Sequence, residues 1–534
     1  MQPIHLSFGD FAIILGYFLL IVLIGLRLHR RVRTSDDFFQ AGRSLPAIVT
    51  GIAFVAANSG ALEMMGVVST SAKYGMRANQ FYWLGAIPAM LFLGLFMMPI
   101  YYRSRARSVP EFLKLRYNEQ TRILNAVSFA VLMVLVSGIS LYAMAIILQV
   151  FLGWSFIGSV IISGILVLAY VVVGGLTATI YNEVLQFILI VLGLTPLVYF
   201  VLRDFHGISG LALGLPTNMG HTWKGLGLMH PFRDNMDVFG LVFGLGFVLS
   251  FGYWCTDFLL VQRALAARSP AAASQTPMIG AVAKLFFPAL VVIPGLAAAI
   301  LLPHSLAQRY DLALPAMMAR YYGHGLLGLG VVAMLSSFMS GMAGNITAFN
   351  TVWTYDLYQS YIRPGKEDAH YIIIGRIATV VATVLSIGTA FIALRFNSLL
   401  DYVQLLFSFF NAPLFATFLL GMFTRWATPM GGFWGLLAGI LAALLHRLLY
   451  SSHLLPYGSD MSANFYGAVV AWIVCFTVTI TVSVFTERKC DEDLVGLVYM
   501  RTPAAGEVKT GFAGAWVMAA AILTACIFLN WCFR

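Results

Sequence analysis

Six ionisable residues lie inside long apolar stretches of the sequence. They are Glu63, Glu183, Asp257, Lys284, Arg376 and Asp401. A charged side chain at the centre of a bilayer costs about 2.5–3.5 kcal/mol on insertion scales, so each is a candidate functional residue. Arg376 and Asp401 stand near the ends of their stretches, where extension to the interface explains them. Glu63 and Lys284 are deeper, and they are either solute-binding groups or a structural pair that neutralises itself.

Oxygen-bearing side chains concentrate in one apolar stretch, residues 325–358. They are Ser336, Ser337, Ser340, Asn345, Thr347, Asn350, Thr351 and Thr354. Ser337 and Ser340 fall on one stripe of a helix. Hydroxyl and carbonyl oxygens suit a dehydrated monovalent cation, but hydroxyls in membrane helices also join neighbouring helices, at about 0.6 kcal/mol per bond. Periodicity alone leaves both roles open.

Small and polar residues interrupt two of the apolar stretches. The second stretch contains AANSGA at 56–61, and the seventh contains four glycines between 240 and 252, just before YWC at 253–255. Membrane helices can unwind at such residues where they line a cavity, which leaves carbonyl oxygens free to bind a cation. The interruptions are five spans apart, which fits two five-helix repeats of opposite topology. Tight helix packing through small residues is the alternative.

These residues require a scaffold embedded in a membrane. Of the 534 residues, 60% are hydrophobic and 10% are charged, whereas a soluble domain carries about 25% charged residues. This composition excludes an ordinary soluble enzyme. The net charge of +10 lies in the connections between apolar stretches, which argues against nucleic-acid binding. We find no catalytic order of Ser, His and Asp and no paired catalytic carboxylates, so we do not expect an enzyme.

A hydropathy window of about 19 residues predicts about fourteen membrane spans. They lie near 8–28, 46–73, 80–102, 123–151, 155–176, 180–202, 237–262, 274–302, 325–358, 371–394, 398–424, 430–450, 463–486 and 512–533. Lys and Arg favour the odd-numbered connections, with roughly 20 residues against roughly 10 elsewhere. We therefore expect these connections in the cytoplasm and both termini outside. The first stretch has no cleavage site after it and is predicted to be a span.

Five segments carry more specific patterns. They are DDFFQAGR at 36–43, GGLTA at 174–178, YWCTD at 253–257, TYDLY at 354–358 and FLLGMF at 418–423. In this order and at this spacing they resemble the sodium:solute symporter family, and within it the sodium/glucose cotransporter branch. The resemblance implies an all-α polytopic protein of the plasma (inner) membrane, with a five-plus-five inverted-repeat core of the leucine-transporter type.

The resemblance also implies how the chain is divided. The 534 residues would form a single transmembrane transporter domain. Residues 8–28 would be a leading extra helix, and 46–424 the core. Within the core, 46–202 would be the first repeat and 237–424 the second. Residues 430–534 would hold three trailing helices.

By the same resemblance, the protein transports sodium with its solute. The sodium-site positions of the family match Ala56, Ser59, Ser337 and Ser340. The second hydroxyl of the family's ninth span is replaced here by Gly341, and an acidic or small polar position is Ala343. These departures leave proton coupling and the stoichiometry open. We expect Ser59 or a water molecule to supply the missing oxygen.

The solute positions of the family diverge further in this chain. The predicted solute-binding residues are Glu63, Phe81, Tyr82, Ser250, Tyr253, Trp254, Lys284 and Gln404. In the sugar carriers, the positions that match 63, 82 and 250 of this chain hold glutamine, glutamate and asparagine. Tyr253 matches their inner gate, and the neighbouring aromatic residues would form a platform for a sugar ring or a cationic headgroup. If Glu63 and Lys284 neutralise each other, a sugar or polyol is favoured; if Lys284 points away, an amine is favoured.

The sequence thus predicts a sodium-coupled secondary active symporter that imports a small polar solute, a sugar in the first instance, by alternating access. One alternative is a sensor that binds solute without accumulating it. Another is a proton- or sodium-coupled transporter of an amine, an amino acid or a polyol. The expected partners are a small-molecule solute and the lipid bilayer, with no nucleic acid. A monomer is expected, although the oligomeric state is left open.

Overall fold

The computed structural model describes residues 6–29, 34–60, 62–216, 219–302, 309–396, 398–499 and 509–534. Within these ranges the chain is almost entirely helical, with no β-strand longer than one isolated bridge between Leu45 and Ala267. In the first half the helices are α1 (Phe8–His29), α2 (Ala47–Asn58), α3 (Leu62–Asn79), α4 (Phe81–Arg103), α5 (Val109–Arg116), α6 (Glu119–Leu152), α7 (Phe156–Asp204) and α8 (Ile208–Gly214).

The second half of the chain is also built of helices. Its helices are α9 (Gly240–Thr256), α10 (Phe258–Leu265), α11 (Pro270–Leu301), α12 (Ala313–Tyr321), α13 (Leu326–Ile362), α14 (Asp368–Ala393), α15 (Leu399–Phe423), α16 (Pro429–Ser451), α17 (Asp460–Phe485) and α18 (Lys509–Cys532). Short helical turns lie at Ser35–Gln40, Ala41–Arg43, Tyr310–Leu312 and Glu492–Leu494.

Most of these helices can cross a membrane. In the part of the chain that the structure describes, eleven are long and apolar enough, and the number rises to thirteen if each of two bent pairs counts as one span. A shorter apolar helix, Phe156–Ala169, adds to these. The predicted all-α, polytopic architecture is confirmed at this level, while the count of fourteen stays a prediction.

The two bent pairs occur in the second and seventh predicted spans, as expected. α2 and α3 meet at 59°, and α9 and α10 meet at 47°. The first break begins after Asn58, and Ala61 within it lies outside the described residues. The second break lies later than the glycine run suggested, at Asp257, which has an extended backbone and caps α10 by accepting the N–H of Leu259 at 2.9 Å. The glycines instead permit close packing: a Cβ on Gly252 would lie 2.7 Å from the carbonyl oxygen of Asn411.

The fifth and sixth predicted spans both lie in the long helical segment α7. This segment is broken at Gly175, whose backbone has φ +58° and ψ −160°. Glycine adopts this conformation without strain. A Cβ there would also lie 2.7 Å from Phe38, so the position has no room for a side chain. The two predicted spans therefore meet at this glycine.

Burial separates an inner group of helices from an outer one. The apolar stretches of α4, α6, α13 and α15 are largely buried inside the protein, whereas those of α1, α14, α16, α17 and α18 are largely exposed. Exposed apolar surface of this extent suits contact with lipid. Of the inner helices, α4 and α15 line the candidate solute cavity, together with α2, α3, α9 and α11.

One arginine fastens the end of α5 to the end of α15. The guanidinium of Arg116 is fully buried and donates to the backbone oxygens of Gly421 at 2.6 Å, Thr424 at 2.9 Å and Ala427 at 3.1 Å. The planar fork of a guanidinium suits several acceptors at once. This contact holds the start of α6 against the connection between α15 and α16.

Candidate functional site

A cavity lies among the broken α2–α3 pair, α4, α9, α11 and α15. With its mouth it encloses about 580 Å³. All eight residues that the sequence analysis assigned to solute binding line it: Glu63, Phe81, Tyr82, Ser250, Tyr253, Trp254, Lys284 and Gln404. Asn58 and Phe407 line it as well and were not predicted. The signal for Asn58 was its place as a polar residue in the interrupted stretch, whereas Phe407 sits in an apolar run that offers no signal.

The deepest charges of the cavity form an ion pair. The ammonium of Lys284 lies 2.8 Å from Oε1 of Glu63, and the side chains are 0% and 8% exposed. The same ammonium lies over three aromatic rings, 4.8 Å from Phe287, 5.4 Å from Tyr82 and 5.7 Å from Trp254. Cation–π contacts of this length favour the charged ammonium. Lys284 therefore points at Glu63, which was the first of the two arrangements considered from the sequence.

Among the residues that the structure describes, two amide oxygens that line the cavity have no hydrogen-bond partner. They are Oδ1 of Asn58 and Oε1 of Gln404, and both atoms are buried. A buried polar atom without a partner costs about 1–3 kcal/mol, so such atoms are rare unless a ligand or water satisfies them. Both are acceptors, and hydroxyl groups of a solute would satisfy them.

Tyr253 closes one side of the cavity. Its ring stacks on Phe407 with centroids 4.6 Å apart and an interplanar angle of 19°. Its hydroxyl accepts a hydrogen bond from Nδ2 of Asn58 at 3.1 Å. The residue thus joins α9 to α15 and to the end of α2, and movement of any of these three helices would move it.

The four residues predicted for sodium binding also meet. Oγ of Ser340 donates to the carbonyl oxygen of Ala56 at 3.0 Å, and Oγ of Ser337 donates to that of Ser59 at 2.6 Å. All four residues are fully buried. The side chain of Ser59 itself donates to the carbonyl oxygen of Val55 at 2.9 Å, within its own helix. Its backbone oxygen is the group that faces α13.

Two glycines bring α13 against the break after α2. A Cβ on Gly60 would lie 3.2 Å from Cα of Gly341, and a Cβ on Gly341 would lie 3.1 Å from Cα of Gly60. Separations this short leave the two backbones in direct contact. Gly341 therefore allows α13 to pack closely against the break after α2. It also leaves the predicted ion site without a hydroxyl.

The other buried charges lie outside the cavity. Glu183 accepts from the guanidinium of Arg263 at 2.6 Å and 3.3 Å, and both side chains are completely buried. Asp401 lies near the start of α15, 3.8 Å from the ammonium of Lys73. With Asp257 used as a helix cap and Arg376 absent from the cavity lining, the structure brings only Glu63 and Lys284 of the six ionisable residues into the solute cavity.

Comparison with known proteins shows which family the chain matches. The model of the sodium:solute symporter family matches residues 38–439. A sodium/glucose cotransporter of Vibrio parahaemolyticus is 27% identical over 85% of this chain and 88% of its own length. Sodium/glucose cotransporter 1 of Ovis aries is 27% identical over 92% and 81%, and sodium/myo-inositol cotransporter 2 of Oryctolagus cuniculus is 28% identical over 83% and 70%.

A solved structure shares the fold. The chain matches an outward-open Na⁺-coupled sialic acid symporter with a TM-score of 0.79, at 18% identity, over 90% of this chain and 99% of that one. A transporter of the nucleobase-cation-symport-1 family matches with a TM-score of 0.54 at 13% identity. The overall fold is therefore one that solved cation-coupled symporters share.

Proposed function

Since the chain belongs to the sodium:solute symporter family, and is therefore a sodium-coupled membrane transporter and not an enzyme, we propose that its solute is a neutral polyhydroxylated molecule, a sugar or a polyol. The observation that carries this proposal is the closed Glu63–Lys284 pair inside the cavity. The names of the relatives, which include glucose and myo-inositol cotransporters, agree with it.

The ion pair selects against charged solutes. An amine would have to take Glu63 from Lys284, and an acid would have to take Lys284 from Glu63. Separating a buried pair leaves an uncompensated charge and costs about 3–5 kcal/mol. A neutral solute avoids this cost, because its hydroxyls can bond to the outer lone pairs of Glu63, to Asn58 and to Gln404 while the pair stays closed.

The aromatic residues complete the match to a sugar ring. Phe81, Tyr82, Trp254 and Phe407 line the cavity beside the polar atoms. Ligand sites commonly combine an apolar wall with a few placed polar groups, and the apolar faces of a pyranose or inositol ring fit that combination. Tyr253 would bound the solute on the cytoplasmic side.

Sodium would bind where α2 ends against α13. The Ser340 hydroxyl now donates to the Ala56 oxygen, and the Ser337 hydroxyl to the Ser59 oxygen. A cation entering this contact would require the Ser340 hydroxyl to turn its proton away and offer a lone pair. Oxygen ligands of this kind suit a hard cation. Binding there would fix the end of α2, and Asn58 at that end also borders the solute cavity, which couples the two ligands.

The driving force is sufficient for accumulation. One charge moving through 100 mV supplies about 2.3 kcal/mol. A tenfold sodium gradient adds about 1.4 kcal/mol, so one sodium could concentrate a neutral solute about 500-fold. Alternating access would expose the cavity first to the outside and, once Tyr253 moves, to the cytoplasm.

The finer architectural expectations belong to this proposal as well. We infer that residues 46–202 and 237–424 are the two inverted repeats, because the bends at 59° and 47° fall in the second and seventh predicted spans. The chain is a multi-pass membrane protein, with lipid-facing helices outside the inner group. A count of fourteen spans, an inner-membrane location with both termini outside, and a monomer remain part of the proposal.

Uptake into sealed proteoliposomes tests the function. Labelled glucose and myo-inositol would be offered with an inward sodium gradient, and unlabelled neutral polyols, amines and acids would compete. Accumulation above equilibrium that only neutral solutes inhibit supports the proposal. Inhibition only by amines or acids would refute the assigned solute class. Binding without accumulation would indicate a sensor, and sodium-independent uptake abolished by an uncoupler would indicate proton coupling.

A further inference from the structure

We propose that Ser140 of α6 is a ligand of the transported sodium ion from a third helix, besides α2 and α13. Its hydroxyl oxygen would lie at the place that Gly341 leaves without a side chain. This inference rests on the proposed function, because it assigns a further residue to the same ion site. Neither the sequence patterns nor the family resemblance pointed to α6.

The position of Ser140 is defined by the glycine opposite it. Its Oγ lies 3.7 Å from the point that a Cβ on Gly341 would occupy, and the carbonyl oxygen of Ala57 lies 3.9 Å from the same point. In the preceding residue of α13, the hydroxyl of Ser340 donates to the carbonyl oxygen of Ala56 at 3.0 Å. Oxygen atoms from α2, α6 and α13 therefore converge beside the backbone contact.

The hydroxyl of Ser140 is less engaged than its neighbours. Ser337 and Ser340 each donate to a carbonyl oxygen of the α2 end at 2.6 Å and 3.0 Å. Ser140 makes one contact, with the carbonyl oxygen of Val136 in its own helix, at 3.5 Å. A hydrogen bond of that length is at the limit of the useful range. Turning this hydroxyl towards a cation would therefore cost little.

Other buried hydroxyls of this protein make shorter bonds within their own helices. Serine and threonine in membrane helices usually satisfy themselves by donating to the carbonyl four residues earlier. In this protein Thr256 does so at 2.6 Å and Thr379 at 2.9 Å. Ser140, which is 4% exposed, also donates to the carbonyl oxygen four residues earlier, but its bond to Val136 is longer, at 3.5 Å. A buried hydroxyl with a long internal bond, close to backbone oxygens at the end of α2, suits a hard cation.

The consequence is that sodium would link three helices. α2 belongs to the first bent pair, α13 packs against it through Gly341, and α6 is the long buried helix beside α13. An ion held by oxygens from all three would join α6 to the end of α2 only while it is bound. Ser140 would then affect sodium affinity and leave the solute cavity itself unchanged.

The test measures sodium binding directly, with no transport assay. The full-length protein, purified in detergent, is titrated with sodium in choline buffer, and binding is followed by tryptophan fluorescence and by radioactive sodium in a scintillation proximity assay. The variants are Ser140→Ala and Ser140→Cys, the second of which keeps the size of the side chain but replaces the hard oxygen by sulfur. Ser163→Ala is the matched control, because Ser163 is a completely buried serine of α7.

We expect both Ser140 variants to raise the half-saturating sodium concentration about tenfold, as loss of one contact to a charge does. Ser163→Ala should stay within about twofold of the wild type. Wild-type affinity in both Ser140 variants would overturn the assignment and leave the proposed function intact. A wild-type protein that shows no sodium binding at all would overturn the proposed coupling, and the role of Ser140 with it. Should Ser140→Ala fail to fold, Ser140→Cys alone decides between these outcomes.

Discussion

Breaking the Glu63–Lys284 pair from either side should destabilise the protein, and removing both charges should not. The proposed changes are Glu63→Gln, Lys284→Met and the two together. In each single variant one charge remains in a cavity whose other lining groups cannot neutralise it. In the double variant no charge remains there. The contrast separates a self-neutralising pair from two independent residues.

The magnitude follows from burial and distance. The charged atoms are 2.8 Å apart, and the side chains are 0% and 8% exposed, so neither charge is screened by bulk water. Removing one partner of such a pair costs about 3–5 kcal/mol, whereas replacing the whole pair by uncharged groups is often neutral or stabilising by about 1–4 kcal/mol. The three cation–π contacts of Lys284 would offset part of the loss in Glu63→Gln. Lys284→Met should therefore be the less stable single variant.

Thermal unfolding of the purified proteins, followed by fluorescence, measures the order of stability. We expect the wild type and the double variant to unfold at similar temperatures, Glu63→Gln lower, and Lys284→Met lowest. Lys114→Met is the control, since Lys114 lies 2.8 Å from Glu119 and the two side chains are 46% and 37% exposed, and pairs of that kind contribute less than about 1 kcal/mol. Single variants as stable as the wild type, or a double variant whose loss equals the sum of the two, would refute the reasoning.

Three further predictions concern other parts of the structure. Tyr253→Ala should speed sodium-independent exchange of solute across proteoliposome membranes. Tyr253→Phe keeps the ring stack on Phe407 and should lose only about 1 kcal/mol of the free energy of solute binding. Equal exchange rates in Tyr253→Ala and the wild type would show that the ring is not a gate. Arg116→Lys should lower the free energy of unfolding by about 2–3 kcal/mol, because an ammonium cannot replace the fork that reaches three carbonyls, and an unchanged unfolding temperature would contradict this. Burial raises the pKa of Asp311, in the connection before α12, to about 7 from an ordinary 3.8. Since the folded state then holds this proton more tightly, stability should fall as pH rises from about 4 to about 7 and level off above that. The unfolding temperature of Asp311→Asn, measured across this range, should lack that fall, and an identical pH profile would exclude Asp311 as its source.

The family resemblance named most of the residues that line the cavity and form the ion contact, such as Gln404 and Ser337, whereas residue type alone singled out fewer. Glu63 and Lys284 stood out as charges in apolar runs, and the small residues near Asn58 indicated a break. How one helix is set against another is not encoded in periodicity, since membrane helices pack through many small local contacts. For that reason the sequence left open whether Lys284 faces Glu63. It also gave no indication of the serine on α6.

The position of the second break shows a different kind of limit. Four glycines between 240 and 252 suggested unwinding there, but the glycines allow neighbouring helices to approach closely, as Gly252 does against Asn411. The break falls at Asp257 instead, because its carboxylate caps the next helix. A single sequence cannot tell a glycine needed for packing from one needed for bending. Only the neighbouring helix decides between the two.

The contact between Gly60 and Gly341 also bears on which alkali ion the protein accepts. The backbones of Gly60 and Gly341 already lie against each other, which would keep the helices from drawing closer around a small ion such as lithium. The hydroxyl bond from Ser337 to Ser59 would resist the separation that a large ion such as potassium requires. Main-chain contact would thus set the lower limit of the opening, and a side-chain hydroxyl its upper limit. Discrimination by ionic radius would then persist even when individual ligands change.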